Sequence, residues 1–184
     1  PSGSAWVKHF EMDVIEDGAE RRKRLETRIL FKTPWFWYGT TYRWNKAQTD
    51  ATIVHSEGVS EELTIPRGGG LTKLTWNYPS RRECFSCHNS KSRGILGFHT
   101  AQLNRPVDYG RGEENQLEAL SRAGYLDRKI TDPHTYPALA AMDDETKSTE
   151  YRAKSYIEAN CVYCHRPHLA GVAQALFDAR LETC

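Results

Sequence analysis

The chain has 184 residues, and its 25 basic and 24 acidic side chains leave a formal net charge of +1. This length allows one sizeable domain or two small ones, and a hydrophobic fraction of 39% is sufficient for a soluble core. The balanced charge produces no large field of one sign, so neither nucleic acid nor an anionic membrane surface is expected as a partner. No apolar run approaches the roughly eighteen residues that span a bilayer, so no membrane span is expected.

Residues 1–78 are predicted to form an antiparallel β module. Residues 24–32 alternate between apolar and polar side chains, and residues 35–44 are rich in aromatic side chains, both of which favour strands. Turn residues such as Gly58 and Pro66 separate shorter β-type runs that follow. The basic run at residues 21–24 is interpreted as a solvated turn flank. The shorter runs are residues 52–55, 63–65 and 71–76.

Residues 79–184 are predicted to form a mainly α-helical module. The segment Ser80-Arg81-Arg82-Glu83 has the pattern of a capping box, which would begin a helix. A second helix is predicted over residues 113–123, because Gly124 is placed to terminate it. The expected fold class is therefore α+β, with a β module followed by a helical module. The remaining predicted helices span about residues 148–160 and 173–181.

Two segments, residues 84–88 and 161–165, share the pattern Cys-x-x-Cys-His. The thiols of each segment are three positions apart, nearly one helical turn, which suits attachment to the two vinyl groups of one haem edge. The histidine that follows would lie under the porphyrin ring and bind the iron. The sequence therefore predicts a c-type cytochrome with two haem c groups. The predicted attachment residues are Cys84, Cys87, Cys161 and Cys164, and the predicted proximal iron ligands are His88 and His165.

Pairs of the Cys-x-x-Cys type also occur in zinc ribbons, where the histidines would complete a tetrahedral ligand set. The stretch between Cys87 and Cys161 is several times longer than the spacing of about 15 to 20 residues found between such pairs. A thioredoxin-like redox pair would need a β-α-β context, which the sequence does not predict. Haem attachment is therefore the favoured interpretation of both motifs, and zinc is the alternative.

Candidates for the second axial position of each iron lie elsewhere in the chain. Met142 lies well downstream of His88, after a proline-bearing loop, and is a candidate distal ligand of the first haem; a gap-filling core role is the alternative. His99, just beyond the first motif, is the best placed of the other histidines. No methionine follows His165. The second haem must then draw on another molecule, on no ligand, or on one of Met12, His9, His55, His99 and His134.

The two motifs also differ in the length of chain that follows them. A long stretch separates His88 from Cys161, whereas the given sequence continues past His165 only from Arg166 to Cys184. Either both haems share one helical module, or the second haem is completed by the β module, by a partner chain or by further sequence. Each haem also carries propionate carboxylates, which arginine binds well. The arginines near the motifs are Arg81, Arg82, Arg93, Arg105 and Arg166.

Residues 78–105, including Thr100-Ala101-Gln102-Leu103-Asn104-Arg105, together with residues 114–117 and 159–167, resemble a family of bacterial dihaem c-type cytochrome domains. Members of that family occur alone or beside secreted sugar-dehydrogenase-like and repeat modules. The resemblance implies an exported electron-transfer protein of the periplasm or the extracellular space. Because covalent haem attachment takes place outside the cytoplasm, a signal peptide or a longer precursor is expected beyond these 184 residues. Three further segments resemble the N-terminal region of the same family: residues 7–10, 25–28 and 42–45.

Electron transfer is the expected function, with each iron cycling between its ferrous and ferric states. The expected partner is another redox protein or an identical subunit. A dihaem peroxidase-like enzyme would instead keep one iron with an open axial position, which the lack of a methionine after His165 allows. A third alternative is a haem-bearing subunit of a larger assembly or filament, in which the next molecule supplies a distal ligand or an electron path.

Overall fold

The computed structural model describes residues 2–89, 92, 94–167 and 177–183, and the chain divides into two compact units. The first unit is Pro1–Asn89 and the second is Ser90–Cys184. The expected boundary lay between residues 78 and 79, before the first motif, whereas the two units divide after that motif. Each unit therefore contains one Cys-x-x-Cys-His motif.

The first unit is built on a four-stranded antiparallel sheet with the order β1-β2-β3-β4. A tight turn at Asp17 and Gly18 joins β1 to β2, and both residues have positive φ angles, 51° and 77°, which match the twist of a hairpin. The β-rich character expected for the start of the chain is confirmed, and the sheet already begins at Ala5. The strands are β1 (Ala5–Glu16), β2 (Ala19–Lys32), β3 (Trp37–Trp44) and β4 (Ala51–Ile53).

The basic run at residues 21–24 lies inside β2 rather than in a turn. Acidic side chains of β1 lie across the hairpin from it, and cross-strand pairs of opposite charge stabilise strand pairing. A run of arginine and lysine is therefore compatible with a strand here because its partner strand carries the opposite charge. The cross-strand ion pairs are Arg22–Asp13, Arg24–Glu11 and Lys23–Glu16.

Strands β5 (Val59–Arg67) and β6 (Gly70–Tyr78) form a separate antiparallel hairpin in the first unit. The core of this unit includes side chains from the hairpin and from the four-stranded sheet. A register shift opposite Phe10 and Glu11 leaves Leu25 unpaired between its neighbours in β2, and Leu25 enters this core. The buried core residues are Val14, Leu25, Val54, Leu63 and Tyr78.

Helix α1 (Arg81–Cys87) follows β6 and begins with the predicted capping box, which is confirmed. The Ser80 hydroxyl accepts a hydrogen bond from the Glu83 N–H, and Glu83 Oε2 accepts one from the Ser80 N–H at 2.8 Å. These bonds hold the pKa of the Glu83 carboxyl below its usual value. The Arg81 guanidinium lies 4.2 Å from the centre of the Tyr38 ring of β3 and donates to the Tyr38 hydroxyl. The first residue of α1 is therefore attached to the sheet.

The second unit contains short helices joined by loops and one small hairpin. Its core is formed by Leu103, Leu117 and Ile130. The Asn104 side-chain amide donates to the carbonyls of Pro133 and Tyr136 at 2.9 and 3.0 Å, which fixes the loop that follows α3. The elements are α2 (Thr100–Leu103), β7 (Pro106–Asp108), β8 (Glu113–Asn115), α3 (Gln116–Arg122), α4 (Thr149–Cys161) and two 3-10 helices, Pro133–Thr135 and Leu181–Thr183.

The expectation of a mainly α-helical second module is wrong. Strands account for 36% of the described structure and helices for 21%, and the helices are short and few. Residues 113–115, expected to open a helix, instead pair with β7. The physical reason is that Asn115 Oδ1 accepts a hydrogen bond from the Leu117 N–H at 2.9 Å, which makes Asn115 the N-cap of α3 and leaves a helix of only seven residues.

The other two predicted helices have different outcomes. The helix expected near residues 148–160 is confirmed as α4, with the Ser148 hydroxyl accepting a hydrogen bond from the Tyr151 N–H at 3.1 Å. The helix expected at residues 173–181 lies partly outside the described residues, and residues 177–180 are not helical. Within the described part of the chain, no helix has both the length and the apolar composition that crossing a bilayer requires.

Candidate functional site

Helix α1 lies against strand β3 at Cys84. A Cβ atom added to Gly39, in the middle of β3, would lie 3.4 Å from Cys84 Cβ and 3.9 Å from Cys84 Sγ. A glycine inside a strand commonly marks the close approach of another segment. Helix α1 is therefore close enough to β3 that a methyl group at residue 39 would be in van der Waals contact with Cys84. Cys84 is half-buried there, whereas Cys87 is exposed.

An ion pair in strand β2 lies in the electrostatic environment of Cys84. Arg28 donates to Glu26 from Nε to Oε2 at 3.0 Å and from Nη2 to Oε1 at 2.6 Å, and the Glu26 side chain is completely buried. Burial raises the pKa of the Cys84 thiol, while the Thr41 hydroxyl and the Arg28 guanidinium act in the opposite direction. Cys84 is therefore a neutral thiol at neutral pH.

His88 ends helix α1 as its C-cap, with φ and ψ angles of −87° and 62°. Its backbone N–H donates to the Cys84 carbonyl at 2.9 Å. Cys84 and Cys87 are both reduced thiols. The first motif therefore has one thiol against the sheet, a second exposed thiol at the end of the helix, and an imidazole directly after it.

The second motif begins where α4 ends, at Cys161. The backbone N–H of His165 donates to the Cys161 carbonyl at 2.8 Å, which is the same i to i+4 bond that joins His88 to Cys84. Cys161 and Cys164 are both reduced thiols and are half-buried. The two motifs thus share a local backbone turn, in which the first cysteine and the histidine lie on one side of the chain.

The imidazole of His165 is packed against an aromatic ring. It stacks on Phe177 with a centroid separation of 4.1 Å and an interplanar angle of 22°. The His165 carbonyl also accepts a hydrogen bond from the Ala179 N–H at 2.9 Å. Stacking covers a face of the imidazole, whereas metals bind at the ring nitrogens on its edge. The contact with Phe177 therefore orients the ring without occupying its metal-binding positions.

Tyr163 connects the second motif to the loop that precedes α2. Its hydroxyl accepts a hydrogen bond from the Gly97 N–H at 2.6 Å and donates to Gln102 Oε1 at 3.0 Å. Its ring meets that of His99 edge-on, with 6.1 Å between the centroids. Burial raises the pKa of the Tyr163 hydroxyl, so it remains protonated and able to donate. The predicted ligand candidate His99 therefore lies beside the second motif.

A cavity of about 670 Å³ in the second unit is lined by both His99 and residues of the second motif, Val162 and Tyr163. Burial lowers the pKa of the His99 imidazole, while the Glu158 carboxylate acts in the opposite direction. The Nε2 atom of His99 is buried without a hydrogen-bonding partner among the described residues. A cavity of about 520 Å³ in the first unit is lined by residues of the sheet and the β5–β6 hairpin, and Cys84, Cys87 and His88 do not line it.

The other predicted ligand candidates lie in different surroundings. Met142 is 55% exposed in a turn, and its carbonyl accepts a hydrogen bond from Arg152. Met12 packs against the core of the first unit, and His9 Nδ1 lies 2.8 Å from the Thr27 hydroxyl. The role of Met142 as a distal ligand of the first haem stays a prediction. His55 and His134 are exposed.

The arginines considered as propionate partners lie in different surroundings. Arg81 contacts Tyr38, as described above, and Arg166 lines the cavity of the second unit. Arg93 lies outside the described residues. Arg82 and Arg105 are exposed.

Comparison of the chain with family models, with curated proteins and with solved structures found no match. Within the described residues, no three histidine, cysteine, aspartate or glutamate side chains converge in a way that would hold a metal ion. A ribbon-type zinc site needs four convergent ligands. A c-type haem needs only one iron ligand from each motif, because the two thiols bond to the porphyrin and the histidine binds the iron. Two reduced thiols, a following imidazole and the unpartnered Nε2 of His99 fit a haem as a donor set.

Sequence patterns identified both motifs and His99 but not the residues that support them. Gly39 had a recognisable signal, because it interrupts the aromatic strand β3. The Glu26–Arg28 pair and the stacking of Phe177 on His165 had none, since both depend on where the folded chain places each side chain.

Proposed function

We propose that this chain is a dihaem c-type cytochrome whose function is electron transfer. The observation that carries the proposal is that each compact unit contains a Cys-x-x-Cys-His motif in which the histidine N–H donates to the carbonyl of the first cysteine. Each thioether would form by addition of a thiol S–H across a haem vinyl group. The attachment residues would be Cys84 and Cys87 for one haem and Cys161 and Cys164 for the other, with His88 and His165 as proximal iron ligands.

When bound, each haem provides an iron that exchanges one electron between its ferrous and ferric states. The residues of the chain hold and orient the groups that bind it. Gly39 allows Cys84 to lie against the sheet, and the stack with Phe177 sets the plane of the His165 ring. Preorganised ligands of this kind limit the rearrangement that accompanies a change in iron charge.

The proposal includes a location and partners. Because haem is attached covalently outside the cytoplasm, the protein would act in the periplasm or the extracellular space. Its electrons would be exchanged with other redox proteins or with identical subunits.

Haem stoichiometry tests the proposal. The chain would be exported in a bacterial host that has a c-type haem maturation system, and bound haem would be measured by the pyridine haemochrome spectrum and by intact mass. We expect two covalent haems per chain, one in Cys84→Ala/Cys87→Ala, one in Cys161→Ala/Cys164→Ala, and none when all four substitutions are combined. Absence of covalent haem, or stoichiometric zinc in its place, would contradict the proposal. Reversible reduction without peroxide turnover is expected, and rapid peroxide turnover at a high-spin haem would favour the peroxidase-like alternative.

A further inference from the structure

One nitrogen of the His99 imidazole lacks a partner. The Nε2 atom is buried, and no donor or acceptor among the described residues forms a hydrogen bond with it. A buried polar atom left in this state destabilises the folded protein. His99 is the N-cap residue of α2, but its side chain makes no capping hydrogen bond. Neither α2 nor the other described residues therefore provide a hydrogen bond that would explain why this atom is buried.

A neutral imidazole offers the lone pair of one ring nitrogen to a metal. Binding of a metal at Nε2 of His99 would therefore satisfy the unpartnered atom.

The cavity next to His99 has the size for a large, mostly apolar ring. Its volume of about 670 Å³ lies within the range of about 300–1,000 Å³ that is usual for cofactor sites. Its charged lining residues are Glu158, Arg166, Arg180 and Glu182, and the Arg180 guanidinium is paired with Asp178. The apolar residues that line it include Ile95, Phe98, Pro137, Val162 and Leu181.

The cavity adjoins the second motif. Val162 and Tyr163, the two residues between Cys161 and Cys164, both line it, whereas Cys161, Cys164 and His165 lie next to its lining residues in the chain. The Tyr163 hydroxyl accepts the hydrogen bond from the Gly97 N–H, two residues before His99 in the loop. The loop that carries His99 is therefore joined to the motif that would carry the second haem.

We propose that Nε2 of His99 is the second axial ligand of the iron whose haem is attached through Cys161 and Cys164, with His165 as the first. This inference rests on the proposed haem attachment and goes beyond it by assigning the ligand. The resulting pair of imidazole ligands gives a lower reduction potential than an imidazole with a thioether sulfur. It also leaves the second iron without an open position for peroxide.

Ferric spectra of haem-loaded variants test this assignment. In His99→Ala we expect one of the two haems to change from low spin to high spin, and added imidazole to restore the low-spin spectrum. His134→Ala is the matched control, because His134 is an exposed histidine of the same unit and its replacement should leave the ferric spectrum unchanged. His99→Met keeps an axial ligand and should raise the reduction potential of one haem and add a sulfur-to-iron absorption band.

The identity of the affected haem is resolved in single-haem proteins. His99→Ala should change the spin state when combined with Cys84→Ala/Cys87→Ala, which leaves only the second haem, and not when combined with Cys161→Ala/Cys164→Ala. Two low-spin haems in His99→Ala, or an effect confined to the first haem, would overturn the assignment while leaving the proposed function intact. Failure of the wild-type chain to bind haem would instead overturn the proposed function. If His99→Ala loses the second haem, unchanged spectra and potentials in His99→Met would overturn the assignment.

Discussion

Gly39 and Cys84 meet where helix α1 contacts strand β3. A single methyl group on Gly39 would reach the shortest ordinary contact distance, 3.4 Å, from Cys84 Cβ. A methyl group would therefore fit at ordinary van der Waals contact, whereas the additional atoms of a branched side chain would crowd the contact between α1 and β3.

Replacing Gly39 by valine should move α1 away from the sheet. We expect Gly39→Val to lower the free energy of unfolding by about 1–3 kcal/mol, as overpacking commonly does. It should also reduce haem attachment at Cys84 and Cys87 relative to the second motif. Urea unfolding and peptide mass spectrometry of the two motifs would measure these effects. Gly39→Ala is the matched control and should change both quantities far less; equal effects of the two substitutions would disprove the steric explanation.

The functional residues that could be identified from the sequence are mainly those that lie close together along the chain. The Cys-x-x-Cys-His pattern identifies six residues because attachment and iron binding need them within one turn. His99 was recognisable as a candidate, but its unpartnered Nε2 and its contact with Tyr163 depend on parts of the chain that are distant in sequence. Phe177 lies beside His165 for the same kind of reason.

Helices α1 and α4 begin at serine caps, and each is connected to a motif. The Ser80 hydroxyl and the Glu83 carboxylate form reciprocal bonds with the backbone of the first turn of α1, while Ser148 caps the first turn of α4. Cap signals are local in sequence, which is why both helix starts were predictable. Helix α1 has only seven residues, so its cap contributes a larger share of its stability than the cap of the longer α4.

Ser80→Ala should therefore weaken the first motif selectively. We expect a loss of about 0.5–2 kcal/mol in the free energy of unfolding, the usual cost of a removed N-cap, together with lower haem occupancy at Cys84 and Cys87. The Ser80 backbone N–H and hydroxyl both donate to Glu83 and hold the pKa of its carboxyl below the usual value, and Ser80→Ala removes only the hydroxyl bond. The stabilisation from that bond is present above the ordinary carboxyl pKa and is lost as pH falls. The difference between wild type and Ser80→Ala, measured by urea unfolding, should accordingly narrow at acidic pH.

Ser148→Ala is the matched substitution for that experiment. It removes a serine cap of the same kind from α4 and should leave haem occupancy of the first motif unchanged. A loss of haem from the first motif in both variants would mean that general instability, rather than the cap of α1, is responsible.

Other elements could not be predicted from local patterns. Strand β1 and the basic first half of β2 stabilise each other through ion pairs across the hairpin, so neither has a strong strand signal alone. The helix expected at residues 113–123 was shortened because Asn115 competes for the N-cap position and residues 113–115 pair with β7. In both cases, pairing with another strand decides the local structure.

For the whole molecule, the formal charge of +1 and the sequence isoelectric point of about 8.1 describe the chain without haem. Each haem adds a pair of propionate carboxylates, which outweigh the charge of the ferric core. We expect isoelectric focusing to show a two-haem form below the calculated value, with single-haem cysteine variants between it and the haem-free quadruple variant. An unchanged isoelectric point in a chain with proven haem would show that the propionates are neutralised within the protein.

The expected β-rich character of the first part of the chain is confirmed, and the expected mainly helical character of the second part is wrong. Helical periodicity in residues 79–184 was inferred from short segments, and the loops between them occupy more of the second unit than those segments do. The first motif belongs to the first unit because Arg81 and Cys84 of α1 contact β3. The compact unit therefore extends to Asn89. Long-range contacts of this kind determine unit boundaries.

The unequal exposure of Cys84 and Cys87 gives the first motif a direction. One thiol lies against a strand and the other lies in solvent, although they are separated by only three positions. A planar group bonded to both would have an inner edge screened by protein and an outer edge at the surface. Electron exchange falls off steeply with distance, so an approaching redox partner would be most effective at the outer edge. The face of α1 that packs against β3 would then select the side of the first unit at which electrons enter and leave.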